Sequence, residues 1–233
     1  MAEIAGPAGF WRRYAAWSLD AAIVAVPTLL LSANGFPTRL QALQAASATV
    51  VNLVAQRLTD ALMQGGDLLR LAQRLADEPA LRLAIDAMLA CLRSLLTPPL
   101  LWFALFAAIY WIAFEASPWQ ATPGKRALRI RITDRDGAAP GWSRAALRHV
   151  AGALSWLTLN LGHALAAWTP QKRALHDFVA GTRVLVDEDA NAALPAWAKA
   201  WIALQIAATL FSAAWLYLHL LGTLRTAVDS ALY

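Results

Sequence analysis

The sequence predicts an all-α membrane protein: a polytopic helical bundle of about three to four membrane segments, one of them a candidate re-entrant segment, plus a short cytoplasmic β-hairpin-like element. Three observations carry this expectation. The chain of 233 residues is 59% hydrophobic and only 15% charged, against about 25% charged in an ordinary soluble domain. The apolar excess is gathered into blocks near the ~20 residues that a helix needs to cross a bilayer. Most of the eleven tryptophans, among them Trp11, Trp17, Trp102, Trp111, Trp119, Trp168, Trp197 and Trp201, stand at or near block ends, where indoles favour the membrane–water interface.

Residues 1–33 are read as the amino terminus and first transmembrane helix, about 14–33, closed by the breaker "SANGFP". Arg12 and Arg13 before an apolar run imitate a signal sequence. Asp20 interrupts the run, which is also long for a signal peptide, so the segment is expected to remain as a helix. Residues 34–93 form an extracytoplasmic insert. Apolar residues recur there at three and four spacing, with arginines and aspartates on the remaining face, which is the pattern of amphipathic helix. "GGD" at 65–67 and "DEP" at 77–79 read as breaks, so three helices are expected, forming a cap on the membrane face. A second span is expected over 94–116, with Pro98 and Pro99 in its first turns, where a missing N–H matters least. Glu115 falls near its far end, at the interface.

The next stretch holds Lys125, Arg126, Arg129, Arg131, Arg135, Arg144 and Arg148, the most basic part of the chain. The positive-inside rule places it, together with Arg12 and Arg13, in the cytoplasm, in agreement with two intervening crossings. Leu128, Ile130 and Ile132 alternate with Arg129, Arg131 and Thr133 before a "DRDG" turn, and residues 182–189, "TRVLVDED", form a second short β-branched run. Both read as strands. If they pair, both loops lie on one side of the membrane. Residues 145–168 would then dip in and return, with "TLNLGH" at the turn, and such irregular backbone must be buried in protein or line a cavity. The region 94–197 is treated as one domain. Residues 198–233 carry a last apolar block, 198–222, as a C-terminal membrane helix.

Composition also excludes functions. A net charge of +5 without a basic and aromatic patch on a soluble fold argues against nucleic acid. Cys91 stands alone, and His149, His163, His176 and His219 show no ligand spacing, so no metal and no cofactor are expected. "TPGK" resembles half a phosphate loop, but Arg126 follows Lys125 and no upstream glycine is in place, so nucleotide binding is not expected. No serine–histidine, paired-carboxylate or HExxH arrangement is present, and no enzyme is expected. The expected partners are the lipid bilayer, a second copy of the chain in a homo-oligomer, and a protein bound through 34–93.

Arg13 and Asp20 are seven positions apart, so both face one side of the first helix. Seven residues rise about 10 Å, too far for an ion pair between them. Arg13, at the helix entrance, is expected to snorkel to lipid phosphates. Asp20 is deeper; an aspartate alone at the bilayer centre costs about 2.5–3.5 kcal/mol on insertion scales and usually marks an ion or substrate path. Its hydrogen bonds or answering charge are expected from 122–125 or from 172–177, which holds Lys172, Arg173, His176 and Asp177.

Three stretches in order, "GFWRRYAAWSLDAAI", "QATPGKRALRIRITDRDG" and "RALHDFVAGTRVLV", resemble the RDD family of bacterial membrane proteins, over about residues 9–33 and 94–187. The resemblance implies that Arg13, Asp20 and Asp177 are the arginine and two aspartates for which the family is named. It also implies Thr122, Pro123, Gly124 and Lys125 as a loop signature, with Arg148, His176, Gly181 and Thr182 around the second half. The family often has glycine where Arg129 stands. The insert at 34–93 and the helix at 198–222 lie outside the shared pattern. The resemblance implies an inner-membrane module, with transport of a small solute or ion, including cation–proton exchange, as the usual suggestion. Asp20 is then the functional carboxylate, since desolvation can keep a shielded acid protonated to higher pH. The alternative is a non-transporting scaffold or assembly factor whose exterior insert binds a partner.

Overall fold

The computed structural model describes residues 6–63, 73, 75–191 and 193–232. Their elements run α1 (Phe10–Ser32), α2 (Phe36–Met63), α3 (Pro79–Ala116), α4 (Pro123–Ala127), β1 (Ile130–Thr133), α5 (Gly141–Leu157), α6 (Leu161–Trp168), α7 (Leu175–Ala180), β2 (Arg183–Val186) and α8 (Ala196–Leu232). Helices α1, α3 and α8 are each long and apolar enough to cross a membrane, and α5 with α6 forms a bent pair that also qualifies. The fold is the all-α membrane protein that the sequence predicts, with one small sheet.

The chain divides into two compact units: residues 1–29 with 102–205, and residues 30–101 with 206–233. The second unit contains α2 and the amino-terminal part of α3. Arg57 of α2 grips Glu78 with two parallel hydrogen bonds, 2.9 Å from Nε to Oε2 and 2.5 Å from Nη2 to Oε1, just before α3 begins. The expected break at 65–67, and most of a middle helix after it, lie outside the described residues. One expectation is corrected here. The helix that carries the second span does not begin at residue 94: α3 starts at Pro79 and runs unbroken for 38 residues. Pro98 and Pro99 are therefore in its interior. They free carbonyls one turn earlier, which a membrane helix tolerates where neighbouring groups re-satisfy them. At 1.5 Å per residue α3 is about 57 Å long, well beyond the ~30 Å hydrocarbon core, so it must project into water.

The first unit carries the motifs. Its small sheet pairs β1 and β2 antiparallel, Ile130 opposite Val186 and Thr133 opposite Arg183. Residues before α1 add to the other edge of β2: the N–H of Ala8 donates to the carbonyl of Val184, and that of Val186 to Gly6. Leu128, Ile130, Ile132 and Val184 point inward onto Ala8, Ala15, Ala16, Ala198 and Ile202. Small residues on α1 let the sheet approach its backbone. A second cluster of Val24, Ala107 and Trp111, with Trp17, Phe103 and Tyr110 against it, packs α1 on α3. Trp111 is thus a core residue rather than an interfacial one, whereas Trp11, Trp119, Trp168 and Trp197 are exposed. Arg129 adopts φ 56°, a left-handed backbone that glycine takes without cost; this accounts for glycine as the frequent residue of the family pattern there.

Helices α5 and α6 meet at 104°. Leu159 and Asn160 take positive φ at the corner, and Gly162 lets α6 close on α5. A Cβ there would lie within 3 Å of Ser155. A single crossing by this pair would leave β1 and β2 on opposite faces of a bilayer. Their pairing requires the pair to turn back. A reporter fused after Asp189 is therefore expected on the same side as the amino terminus, and one at Tyr233 on the opposite side; protease accessibility of the two fusions checks this.

Candidate functional site

Two buried aspartates, on different elements, organise the motifs. Asp20 lies on α1 and is fully buried. Its Oδ2 accepts from the Thr122 hydroxyl at 2.5 Å. Its Oδ1 accepts from the Gly124 N–H at 2.7 Å and from the Tyr110 hydroxyl at 2.8 Å. Thr122 caps α4, its hydroxyl also accepting from the Lys125 N–H at 3.4 Å, and Pro123 follows where its missing N–H is harmless. Gly124 is required for the approach. A Cβ there would collide with the carbonyl oxygen of Ala16 and stand 2.7 Å from Asp20 Oδ1. The "TPGK" turn thus sits directly on α1, and three neutral donors satisfy the carboxylate.

Asp177 is also fully buried, at the third residue of α7, where its Oδ2 accepts from the Ala174 N–H at 2.8 Å. The same oxygen receives Arg13 Nη1 at 2.5 Å, and Oδ1 receives Arg148 Nη1. Arg148 continues the chain, donating to the Thr182 hydroxyl at 2.9 Å and pairing through Nε with Glu115 Oε2 at 3.1 Å. Glu115 Oε1 in turn holds Lys125 Nζ at 2.7 Å. The result is a continuous ionic chain, Arg13–Asp177–Arg148–Glu115–Lys125, that joins α1, α7, α5, α3 and α4. With Asp20 close to its Lys125 end, three cations meet three acids, so the cluster is neutral when all are ionised. Gly181 ends α7 in the left-handed conformation, φ 65°, and turns the chain into β2.

These placements test the site expectations residue by residue. Asp20 draws its hydrogen bonds from the 122–124 turn, one of the two segments expected, and from Tyr110. Arg13 does not serve as a free lipid anchor. Its Nη1 is committed to Asp177, and its Nε donates to the carbonyl of Ala8 at 2.9 Å. Burial beside a carboxylate makes the ion pair the better partner than solvated phosphate. Arg148 and His176 lie against Asp177, and Thr182 accepts from Arg148. Lys172 is half-buried, its Nζ donating to the Ala167 carbonyl at 3.4 Å, and Arg173 lies over the Phe178 ring at 4.2 Å, donating to the Asp177 carbonyl. Sequence reading gave Tyr110 no role and set Glu115 at the interface, whereas Glu115 is buried between Arg148 and Lys125. An ionisable residue in a spanning segment is a site candidate on its own, which could have flagged Glu115; a tyrosine in an aromatic-rich helix gives no such signal.

His176 Nε2 lies 3.6 Å from Asp177 Oδ1, and the His176 ring is 5.0 Å from that of His163 on α6. The Nδ1 atoms of both rings are buried without a hydrogen-bond partner. Burial, then the nearby Arg148, holds the His176 imidazole neutral well below its ordinary range, against the opposing pull of Asp177. Burial resists ionisation of Asp177, but Arg148 and Arg13 outweigh it and lower its carboxyl far below the usual carboxylate range.

A polytopic helical bundle whose spans are tied to two loop motifs through buried acids defines this as an integral membrane protein of the arginine–aspartate–aspartate type. The chain belongs to the RDD family, whose profile matches residues 7–181. It is also similar to the uncharacterized protein YxaI of Bacillus subtilis (strain 168), 25% identical over 179 residues, which cover 77% of this chain and 97% of that protein. No solved structure matches the chain.

Gly124→Ala is expected to destabilise the fold by about 1–3 kcal/mol through overpacking against α1, read as a lower melting temperature in detergent. Asp177→Asn leaves Arg13 and Arg148 buried without their acid and should cost about 3–5 kcal/mol. The pH dependence follows from the two shifts. His176 binds its proton more weakly folded than unfolded, so stability declines as pH falls below about 6.5. Asp177 adds stability above its unfolded pKa of about 3.9, and that stability is lost on further acidification toward the lower folded value. The melting temperature should therefore fall in two stages on acidification, and His176→Gln should weaken the first.

Proposed function

We propose that this chain is a bacterial inner-membrane protein, amino terminus in the cytoplasm, that moves a small ion or solute by proton-coupled exchange. One observation carries the reading. Two half-buried imidazoles, His163 and His176, leave buried Nδ1 atoms without hydrogen-bond partners beside the ionic chain at Asp177. A buried polar atom without a partner is costly, and a transient water, proton or ion would relieve that cost. His163 belongs to the segment that turns back in the membrane, and His176 stands between it and Asp177. That order supports a proton path from the bent pair to the interface.

Asp20 has a different part in this reading. Its oxygens are filled by protein donors, so it fastens the 122–125 turn to α1; Asp177 is likewise held by Arg13 and Arg148, and His176 and His163 are the exchanging groups. The second reading, a scaffold that captures a partner, rests on α2. It is 28 residues long, yet Ala55 and Thr59 are its buried side chains among the described residues.

In liposomes with an imposed sodium or potassium gradient and an internal pH dye, wild type is expected to drive proton flux. His176→Gln and His163→Gln should each lower it at least about tenfold while still eluting as folded protein. Flux equal to wild type in both variants would sink the proposed path. Loss with Asp20→Asn alone, in a folded protein, would return the carboxylate role to Asp20. The scaffold reading predicts instead that deleting 34–93 abolishes crosslinked partner capture without unfolding the remaining chain.

A further inference from the structure

A cleft on the sheet side of the first unit lies outside the ionic chain. It has a volume of about 420 Å³ and is lined by Trp119, Gln120, Arg126, Arg129, Arg131 and Asp187, among others. Its position follows from Trp119, three residues past the end of α3, half exposed and packed on Phe114 at 5.7 Å. An indole at the end of a span marks the level of the lipid headgroups. The cleft mouth is therefore at the depth where phosphates lie.

Its three guanidinium groups are not equally committed. Arg129 is answered by Asp187 at 3.3 Å and by Asp189. Arg131 faces Glu188 only at 3.9 Å, beyond hydrogen-bond reach, and its Nε is buried with no acceptor. Arg126 stacks on the Trp119 ring at 4.4 Å, and no carboxylate lies within ion-pair distance of it among the described residues. Stacking fixes the plane of a guanidinium while leaving its edge donors free. Two arginines thus offer unfilled donors to one interfacial cleft. Guanidinium donors suit the oxygens of a phosphate.

We propose that this cleft binds the phosphate of an anionic phospholipid, with Arg126 and Arg131 as the phosphate donors and Trp119 as the interfacial wall. The acyl chains then lie along the apolar end of α3, and the headgroup meets the exposed edge of the Arg131 guanidinium. Asp187 and Asp189 set the selectivity: they neutralise Arg129 and limit the cleft to about one phosphate rather than a diffuse anion cloud.

The test uses the full-length protein in a neutral detergent. Added phosphatidylglycerol is expected to raise its melting temperature by several degrees, while phosphatidylcholine and inorganic phosphate leave it unchanged. The double variant Arg126→Gln with Arg131→Gln should keep the lipid-free melting temperature and lose the shift. Removing two charges elsewhere, Arg82→Gln with Lys199→Gln, should keep it. An equal shift with phosphatidylcholine would overturn the charge basis of the site. An equal shift with inorganic phosphate would overturn the lipid as its source. Retention of the phosphatidylglycerol shift in the Arg126/Arg131 variant would overturn the cleft.

Discussion

A charge removed from water without a partner costs several kcal/mol, and this chain buries an ionic row of five. Arg13, Asp177, Arg148, Glu115 and Lys125 come from five different helices. Each is acceptable inside the protein only while the next is in place. That mutual dependence fixes how α1, α3, α4, α5 and α7 come together, because a shift of any one leaves a buried charge exposed to nothing. Hydrophobic packing alone would define the arrangement less sharply, since apolar surfaces slide at small cost and ion pairs of 2.5–3.1 Å do not.

The two aspartates solve the burial problem by different means. Asp177 is answered by two guanidinium groups and a helix-start N–H, so its charge is compensated by charge. Asp20 is answered by a hydroxyl, a backbone N–H and a phenol, so its charge is spread over dipoles. The second solution demands close approach of backbone to backbone, which is why glycine stands at 124 between Ala16 and Asp20. Arg13 and Asp20, although on one helix face, never meet; each serves a different motif two turns apart. In this chain Arg13 pairs with Asp177 and not with Asp20.

The small sheet has a topological effect out of proportion to its size. Four paired residues tie the loop after α3 to the segment after α7, and every element between them must begin and end on one side. The bent α5–α6 pair is the form an apolar block takes under that restraint. It places His163 next to His176, and it brings Arg148, which lies on α5, within reach of both Asp177 and Glu115.

Local pattern was enough for much of this. Apolar runs set the three long helices, since lipid accepts only segments that satisfy their own backbone. Alternation at 128–133 set β1 and its buried face, and the loop motifs left two candidate segments for Asp20, 122–125 and 172–177, of which the first supplies its hydrogen bonds. Where a helix begins was less legible: α3 extends back to Pro79 because an amphipathic stretch and an apolar one share a helical period and join without a break. The partner of Arg13, the roles of Glu115 and Tyr110, the unpaired imidazoles and the cleft at Trp119 could not be read at all. Each depends on distances between residues about 10 to 160 positions apart. Sequence by itself determined which segments enter the membrane and which residues are costly to bury there; only the tertiary structure decided which charge answers which, because pairing in a low-dielectric interior is a matter of a few ångströms and not of order along the chain.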